Sequence, residues 1–431
     1  MAKAPSAKAI VVAAPASGSG KTLVTLGIIR ALRNRGIRVA SAKVGPDYID
    51  PRFHEAASGR PCFNLDPWAM NDGQIACILE KAGHDADIII IEGVMGLFDG
   101  PRGSTRGSTA DLAHLLQVPV LLTIDARHQG QSIAALVHGF TRYKLGLKNA
   151  GVVLNRVSSD RHEALLREAL GERVLGVLRH DDSLHLPSRH LGLVQAQENP
   201  GLEPLLERAA SAVAHETILD RILGIATQPL GESVIRESLP PLGQFISIAR
   251  DRAFAFAYPH LLDSWHKAGA ELSFFSPLAD EGPAPHADAV FLPGGYPELH
   301  AGRLAANANF LNGLRTATGL VYGECGGYMV LGEGLTDADG KTHAMAGLLP
   351  LATSFATRQL SLGYRWLRPL PGAPWNVPLN GHEFHYSTVA KEGQADRLFD
   401  AANSMGDPLP PMGLRRGKVM GSYAHVICEA I

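Results

Sequence analysis

Cysteine is scarce in this chain of 431 residues, which has four, at positions 62, 77, 325 and 428. No two of them have the CxxC spacing, which argues against a zinc ribbon or a disulfide framework and for a reducing compartment. A charge excess is lacking as well, since 40 basic and 42 acidic residues leave a formal net charge of −2. The chain therefore provides no general attraction for polyanions, and we expect no nucleic acid as its principal partner.

Long hydrophobic runs are also lacking. Apolar runs such as 88–91 end at a charged residue or a glycine and fall far short of the roughly 20 residues that span a bilayer. The amino-terminal stretch "MAKAPSAKAIVVAAPA" has features of a secretory signal. It runs directly into "SGSGKT", however, and cleavage would remove the strand that such a glycine-rich loop requires. We expect a cytoplasmic protein with no membrane partner.

The apolar residues that are present, 45% of the chain, suffice for two domains of ordinary size. In the first half, short β-branched runs alternate with amphipathic helical patterns, which is typical of a parallel sheet buried on both faces. The pattern predicts strands at 9–14, 39–43, 88–91, 118–124 and 152–154, and helices at 22–35 and 133–144. We predict a first α/β domain over residues 1–222.

The periodicity fails over residues 223–244, where "QPLGESVIRESLPPLG" contains prolines and glycines but no apolar face. This segment is predicted to be the linker between two domains. The α/β pattern then resumes and predicts a second domain over residues 245–431. Its predicted elements are strands at 245–249, 271–275, 289–292 and 320–322 and a helix at 258–267.

The first chemical motif is "APASGSGKT", a glycine-rich turn between an apolar strand and a helix. Backbone N–H groups near Gly18 and Gly20 and the positive helix end suit a triphosphate. Lys21 suits the outer phosphates, and the Thr22 hydroxyl suits Mg²⁺. The motif departs from the usual phosphate-binding loop at its first glycine, which is replaced by Pro15. The sequence predicts an ATP site here.

Two acidic segments follow later strands of the same predicted sheet. "IIIIEGVMGLFDG" places Glu92 at the end of a buried strand and Asp99 shortly after it. Carboxylates at the carboxyl ends of parallel strands lie over the crevice where ligands bind. The alternative for Glu92 is a solvated strand end without a ligand.

The second acidic segment, "KVGPDYIDP", carries four candidate residues for the ATP or substrate site: Lys43, Asp47, Tyr48 and Asp50. Prolines at 46 and 51 stiffen the segment and hold its two carboxylates near one another. Turn formation is the alternative role for the two aspartates.

In the second domain, "VYGECGGYM" places Cys325 between the end of a strand and the start of a helix. Small neighbours allow the strained turn of a nucleophile elbow, here with cysteine in place of serine. We expect the helix amino end to lower the pKa of the thiol. Upstream, "FLPGGYPE" ends another strand, and the N–H groups of Gly294 and Gly295 are candidates for an oxyanion hole.

A cysteine nucleophile needs a base, and His425 in "GSYAHVIC" is the candidate. His382 and His385 in "NGHEFHYS" are the competing candidates.

Taken together, the nucleotide loop, "GPDYIDPRFH", "EGVMGLFDG", "LPGGYPE", "GECGGYM", "GHEFHYS" and "YAH" resemble the cobyrinic and hydrogenobyrinic acid a,c-diamide synthases of cobalamin biosynthesis. The resemblance spans nearly the whole chain. It implies a dethiobiotin-synthetase-like ATP domain followed by a flavodoxin-like class I glutamine amidotransferase domain.

The family amidates the a and c acetate groups of a corrin ring, so the resemblance implies ATP, Mg²⁺, L-glutamine and a corrinoid tetrapyrrole as cofactors and partners. It implies Cys325 as the glutaminase nucleophile and His425 as its base. It places the other candidates at the ATP, Mg²⁺ and substrate site, namely Lys21, Thr22, Lys43, Asp47, Tyr48, Asp50, Glu92 and Asp99. For the metal, the expected ligands are Thr22, Asp47 and Glu92.

Several alternatives stay open at this point. Many class I amidotransferases carry a glutamate two residues after the histidine, where this chain has Ile427, so either a Cys–His dyad suffices or another carboxylate orients His425. The ring is metal-free or contains cobalt, with the metal-free ring favoured by overall likeness. A nickel-sirohydrochlorin a,c-diamide synthase is an alternative enzyme. A partition-type ATPase is disfavoured by Ala16, where it would have a second lysine, and a homodimer is one of the oligomeric states left open.

Overall fold

The structure, a computed structural model, describes residues 7–186, 188–189, 192–214, 216–231 and 239–430. The chain divides into two compact units, Met1–Arg236 and Glu237–Ile431. Both are α/β units, as the sequence predicts. Among the described residues, no helix is both long enough and apolar enough to span a bilayer.

The first unit contains a parallel sheet flanked by helices. Its strands are β1 (Lys8–Ala13), β2 (Val39–Val44), β3 (Cys62–Leu65), β4 (Ile88–Glu92), β5 (Val120–Asp125), β6 (Asn149–Val157), β7 (Val174–Arg179), β8 (Ser188–Arg189) and β9 (Gly192–Leu193). Its helices are α1 (Lys21–Asn34), α2 (Asp50–Ser58), α3 (Asp72–Ala82), α4 (Thr109–Leu116), α5 (Ile133–Arg142), α6 (Asp160–Leu170), α7 (Leu202–Val213) and α8 (Glu216–Ile225). Short 3-10 turns occur at Gly171–Arg173 and Ala196–Glu198.

Seven strands form the main sheet in the order β3-β2-β4-β1-β5-β6-β7, and every neighbouring pair is parallel. The central strand β4 has the sequence IIIIE, and all five residues are buried. Alternate residues such as Ile88 and Ile90 pack into a core shared with α1, α7 and α8. The remaining isoleucines are buried as well, which is why the strand reads as a continuous apolar run.

Residues on both sides of the predicted boundary at residue 222 pack with the first unit. Helix α8 continues to Ile225, and Leu219 and Ile222 are fully buried in the core. Thr227 then forms an antiparallel bridge with Ala9 of β1. Residues 223–227 thus belong to the first unit because they bury apolar side chains and satisfy an edge of β1. Part of the predicted linker, residues 232–238, lies outside the described residues, and the predicted boundary stays a prediction.

The second unit is built on a mixed sheet. Its strands are β10 (Phe245–Ala249), β11 (Glu271–Phe275), β12 (Ala289–Leu292), β13 (Leu320–Glu324), β14 (Gly334–Thr336), β15 (Thr342–Ala344), β16 (Leu351–Ser354), β17 (Ser361–Pro369), β18 (Leu379–His385), β19 (Thr388–Glu392), β20 (Asp396–Ala402), β21 (Pro408–Arg416), β22 (Val419–Ser422) and β23 (Ala424–Glu429). Its helices are α9 (Pro259–Lys267), α10 (Ala301–Ala306), α11 (Ala308–Thr316) and α12 (Gly326–Leu331), with 3-10 turns at Pro277–Ala279 and Pro297–His300.

Ten of these strands form one sheet in the order β11-β10-β12-β13-β22-β21-β20-β17-β18-β23. The first five are parallel to one another and the rest pair antiparallel. The chain passes from β22 to β23 through Tyr423 alone, yet β23 pairs with β18 at the far end of the strand order. This arrangement places the start of β23 next to the turn after β13.

Candidate active sites

The glycine-rich loop of the first unit lies between β1 and α1, where the sequence places it. Gly18 and Gly20 have φ values of 80° and 87°, in the left-handed region that favours glycine. The end of β6 fastens the loop, because the Asn155 amide donates to the carbonyl of Ser19 (3.0 Å) and Arg156 donates to that of Gly18 (2.9 Å). Backbone N–H groups at the start of α1 are thereby held as an anion site.

Gly20→Ala is expected to weaken ATP binding more than Gly18→Ala does. Both replacements put a side chain in left-handed backbone, which costs about 1–2 kcal/mol. A Cβ at Gly20 would also overlap the Asn155 amide, whereas nothing lies within 4 Å of one at Gly18. Nucleotide titration and thermal unfolding measure the two effects. Gly139→Ala, in an α-helix with open space around it, is the control: it should leave nucleotide binding unchanged, although alanine stabilises a helix by up to about 1 kcal/mol relative to glycine. Equal losses of nucleotide binding at the two loop positions would contradict the account.

Lys21 opens α1 and is buried, with its Nζ donating to the carbonyl of Met95 at 2.7 Å. Burial lowers the pKa of this ammonium, while the nearby Glu92 carboxylate opposes the shift. A buried ammonium that donates to one backbone carbonyl can also donate to a phosphate oxygen, so Lys21 is suited to bind a phosphate.

A cluster of polar groups, which we call the acidic corner, lies beside the loop and comprises the half-buried Thr22 and the buried Lys43, Asp50 and Glu92. The Thr22 hydroxyl is 2.7 Å from Glu92 Oε1 and 3.3 Å from Asp50 Oδ2. The Lys43 ammonium is 2.8 Å from Glu92 Oε1 and 2.5 Å from Asp50 Oδ2. Three different segments therefore bring hard oxygen atoms to one point at the carboxyl edge of the sheet.

Charge balance within the acidic corner sets its protonation. Burial opposes the charged form of Lys43, but Asp50 and Glu92 outweigh burial and raise its pKa. Burial likewise opposes the Glu92 carboxylate, yet Lys43 and His54 hold the pKa of Glu92 below its ordinary value. Burial and the neighbouring Asp47 carboxylate raise the pKa of Asp50 to about 7. One lysine thus serves two carboxylates, of which Glu92 is the more firmly ionised.

Three further predicted residues of the first unit are not part of the acidic corner. Asp47 Oδ1 accepts from the backbone N–H groups of Ile49 and Asp50 (2.9 and 3.0 Å), and its Oδ2 is 3.8 Å from Lys43 Nζ. Asp99 is exposed, and its Oδ2 accepts the N–H of Gly96 at 2.8 Å. Tyr48 is buried. The structure brings Asp50, and not Asp47, to Thr22 and Glu92.

The residues present fit Mg²⁺. Among the described residues there is no group of three or more His, Cys, Asp and Glu side chains placed to hold a metal ion. The acidic corner offers instead one hydroxyl and two carboxylates, and Mg²⁺ is commonly held by one or two carboxylates together with substrate phosphates.

Sequence reasoning missed two residues that shape this site. His54 is fully buried, and its Nε2 is 2.7 Å from Glu92 Oε2, which leaves Oε1 facing Thr22. Asn155 fastens the glycine-rich loop from a strand distant in sequence. His54 belongs to the segment "GPDYIDPRFH", and its spacing of four residues from Asp50 on α2 was the available signal. For Asn155 the sequence gives no signal of a role at the site other than its position near the end of a strand.

In the second unit, Cys325 is the residue between β13 and α12, one residue after the strand ends at Glu324. Its backbone has φ 46° and ψ −106°, a conformation that costs a non-glycine residue free energy and is typical of a functional turn. Its N–H donates to the carbonyl of Ser422 at 2.8 Å, which ties the turn to the end of β22. The strand, turn and helix expected of such an elbow are present, and the role of Cys325 as a nucleophile stays a prediction.

Gly294 shows how closely the predicted glutaminase residues approach one another. A Cβ placed on Gly294 would overlap Cε1 of His425 and lie 2.8 Å from its Nε2 and 3.2 Å from the Cβ of Cys325. Glycine is therefore required where β12 ends, because any side chain would fill the space between the thiol and the imidazole. The nitrogen of Gly295 lies close to Gly326, the first residue of α12, since a Cβ there would be 3.1 Å from it.

The pKa of the Cys325 thiol differs from the expectation. Burial, with the Glu298 carboxylate, raises this pKa, although the N–H of Gly326 opposes the shift. The expected lowering by the helix end is wrong, because α12 has only six residues and the thiol is enclosed. Burial, with His382 and His385 nearby, also lowers the pKa of His425 to about 3. Before glutamine binds, Cys325 is thus a neutral thiol and His425 a neutral imidazole.

The two competing histidines have other surroundings. His385 pairs with Glu383 at 2.8 Å, and Arg365 holds the same carboxylate at 2.7 Å. His382 lies opposite His425 in the β18–β23 register, and burial lowers its pKa to about 3. His425, in contrast, borders the space between Gly294 and Cys325, which is where a base for the thiol must lie.

Comparison with known proteins identifies both units. Residues 10–194 match the CobQ/CobB/MinD/ParA nucleotide binding domain family. Residues 245–430 match the CobB/CobQ-like glutamine amidotransferase domain family. The first match contains the glycine-rich loop and the acidic corner, and the second contains Cys325 and His425.

Several similar proteins carry one name. Hydrogenobyrinate a,c-diamide synthase of Brucella anthropi is 54% identical over 429 residues, covering 97% of this chain and 98% of that protein. The protein of the same name from Brucella suis has the same identity and coverage. That of Rhodobacter capsulatus is 51% identical over 431 residues, again covering 97% and 98%.

Proposed function

The chain belongs to the hydrogenobyrinate a,c-diamide synthase family, and from this premise we propose that it converts the a and c acetate groups of hydrogenobyrinate to amides. Glutamine supplies the nitrogen and ATP activates each carboxylate. The observation that carries the proposal is the coexistence in one chain of a phosphate-binding loop with an acidic corner and of a cysteine elbow with a histidine at its side.

The first unit is proposed to be the ATP-dependent amidoligase. A carboxylate is a poor electrophile at neutral pH, so transfer of the γ-phosphoryl group to it creates an acyl phosphate with a good leaving group. Lys21 would neutralise charge on the outer phosphates. Thr22, Asp50 and Glu92 would hold Mg²⁺, which supplies further neutralisation of phosphate charge when bound. Lys43 balances the two carboxylates of the corner.

The second unit is proposed to be the glutaminase. His425 takes the thiol proton of Cys325 as the sulfur attacks the side-chain amide of glutamine. The N–H groups of Gly294 and Gly295 would stabilise the oxyanion. The imidazolium then gives its proton to the leaving nitrogen, ammonia departs, and water hydrolyses the thioester. Ammonia displaces phosphate from the acyl phosphate, so two rounds consume two glutamines and two ATP.

Asp50→Asn is expected to impair amidation strongly, whereas Asp47→Asn is expected to have little effect. Asp50→Asn removes a carboxylate beside Thr22 and Glu92. In Asp47→Asn, by contrast, the asparagine oxygen can still accept hydrogen bonds from the backbone N–H groups of Ile49 and Asp50. Ammonia-dependent amidation measured against Mg²⁺ concentration separates the two. A higher Mg²⁺ requirement for Asp47→Asn, with a normal one for Asp50→Asn, would restore Asp47 as the metal ligand.

The ring substrate is tested by competition. The protein, ATP and glutamine are incubated with equal amounts of hydrogenobyrinate, cobyrinate and nickel-sirohydrochlorin, and each product is identified by mass. We expect the diamide of hydrogenobyrinate to form first. Preferred amidation of either metal-containing ring would replace the proposed substrate while leaving the reaction type intact.

A cytoplasmic location also stays a proposal, which the four free cysteines support.

A further inference from the structure

We propose that Glu324 is the positioning residue of the glutaminase: its carboxylate orients His425 and stabilises the imidazolium that forms when the thiol of Cys325 is deprotonated. The inference rests on the proposed glutaminase role of the second unit. Glu324 would be the third member of the catalytic site. It is the residue immediately before the nucleophile, a position that the sequence pattern does not indicate.

Glu324 and Cys325 both lie near the imidazole ring of His425. Glu324 Oε2 is 3.7 Å from His425 Nδ1. The Nε2 side of the same ring faces the space above Gly294, beside the Cβ of Cys325. Glu324 thus approaches Nδ1, while the space bordered by Cys325 lies next to Cε1 and Nε2 of the same ring. An orienting carboxylate at one ring nitrogen and a nucleophile near the other is the arrangement of a triad.

The carboxylate is fixed so that one oxygen is left for the histidine. Glu324 Oε1 accepts the N–H of Val426 at 3.1 Å and the hydroxyl of Tyr322 at 3.2 Å. Val426 directly follows His425, so the first of these bonds ties Glu324 to the strand that carries the base. Oε2 is thereby turned toward Nδ1. The separation of 3.7 Å is just outside hydrogen-bond range, and catalytic hydrogen bonds often tighten only when substrate is bound.

Two neighbouring positions that could supply such a carboxylate are apolar or already engaged. Ile427, where many class I amidotransferases carry glutamate, is fully buried and apolar. Glu383 on the adjacent strand is held by Arg365 and His385. The side chain of Glu324, in contrast, is only 3% exposed and that of His425 only 1%, so the two are enclosed together.

The charges around His425 make such a counter-charge useful. Burial disfavours the imidazolium, as do His382 and His385 on β18, and the backbone of Phe256 favours it. Burial raises the pKa of Glu324 to about 8, while the Val426 N–H and the Tyr322 hydroxyl oppose that shift. When Glu324 is ionised, its carboxylate stabilises the buried imidazolium that forms as His425 takes the thiol proton, which lowers the free-energy cost of that proton transfer.

Glu324→Gln tests the proposal. The amide keeps an oxygen that can accept from Val426 and Tyr322, but it cannot offset the charge of an imidazolium. We expect the kcat of glutamine hydrolysis to fall about ten- to a hundredfold, with the KM for glutamine changed by less than about twofold, because the ground-state pocket is unaltered. Amidation from free ammonia should proceed at the wild-type rate, which shows that the ligase unit is intact, and the retained KM for glutamine shows that the unit carrying the substitution is folded.

Two variants measured in parallel make the result decisive. Tyr322→Phe removes a hydrogen bond to the same carboxylate and leaves its charge, so we expect a smaller loss of kcat than in Glu324→Gln. An equal loss in both, or a wild-type kcat in Glu324→Gln, overturns the positioning role. Cys325→Ala tests the underlying function. If this variant retains glutamine-dependent activity, the proposed glutaminase role of the second unit is contradicted. If it is inactive while Glu324→Gln is fully active, the glutaminase role stands and only the role of Glu324 is contradicted.

Discussion

Replacing Lys21 by alanine is expected to abolish amidation whether the nitrogen comes from glutamine or from free ammonia. Lys21 is a buried cation at the start of α1, held by the carbonyl of Met95. Without the Lys21 ammonium, the negative charge on the transferring phosphoryl group is less well neutralised. Removal of one group that stabilises transition-state charge typically lowers the rate at least about a hundredfold. Because the acyl phosphate precedes the use of either nitrogen donor, both reactions fail together.

The measurement for Lys21→Ala is the rate of amide formation with saturating ammonia, accompanied by hydrolysis of glutamine alone. Glutamine hydrolysis should persist, since Cys325 belongs to the other unit. Lys148→Ala is a control, because Lys148 is an exposed lysine of the same unit that donates to the carbonyl of Gln117. A folded Lys21→Ala protein that amidates with ammonia at the normal rate would remove the glycine-rich loop from the ligase reaction.

Cys325→Ala is expected to give the complementary result, with glutamine-dependent amidation lost and ammonia-dependent amidation kept. The alanine removes the atom proposed to form the thioester, while the elbow backbone stays tied to Ser422. The two nitrogen sources are compared at equal ATP and ring concentrations. Cys428→Ala replaces the other buried thiol of this unit and should retain both activities. Loss of both activities in folded Cys325→Ala would contradict the division of labour between the units.

The fold was largely predictable because its parallel strands are buried on both faces. Strand β4, with four consecutive isoleucines, can be recognised without tertiary information. The antiparallel half of the second sheet was not predicted. Strand β17, for example, has mostly intermediate or exposed residues, and its pairing with β18 and β20 depends on contacts that a local pattern does not contain.

The site was predictable where a residue follows a strand directly. Glu92 and Cys325 were singled out in this way, and the structure places Glu92 at the end of β4 and Cys325 one residue after β13. His425 was singled out as the base that an elbow cysteine needs, and it is the second residue of β23. The sequence does not show which of the two aspartates lies beside Thr22, because Asp47 and Asp50 are three residues apart on one turn and differ only in the direction of their side chains. Burial of the thiol, which raises the pKa of Cys325, likewise depends on packing rather than on the elbow sequence.

The most direct measurement of the central claim follows the amide nitrogen from glutamine into the ring. Hydrogenobyrinate is incubated with ATP and with glutamine labelled in its side-chain amide nitrogen, and an excess of unlabelled ammonia is present in a parallel reaction with Cys325→Ala. We expect a diamide labelled at both the a and the c positions, formed with consumption of two ATP, and an unlabelled diamide from the variant. A labelled diamide from Cys325→Ala, or amides formed without ATP, would contradict the proposed reaction.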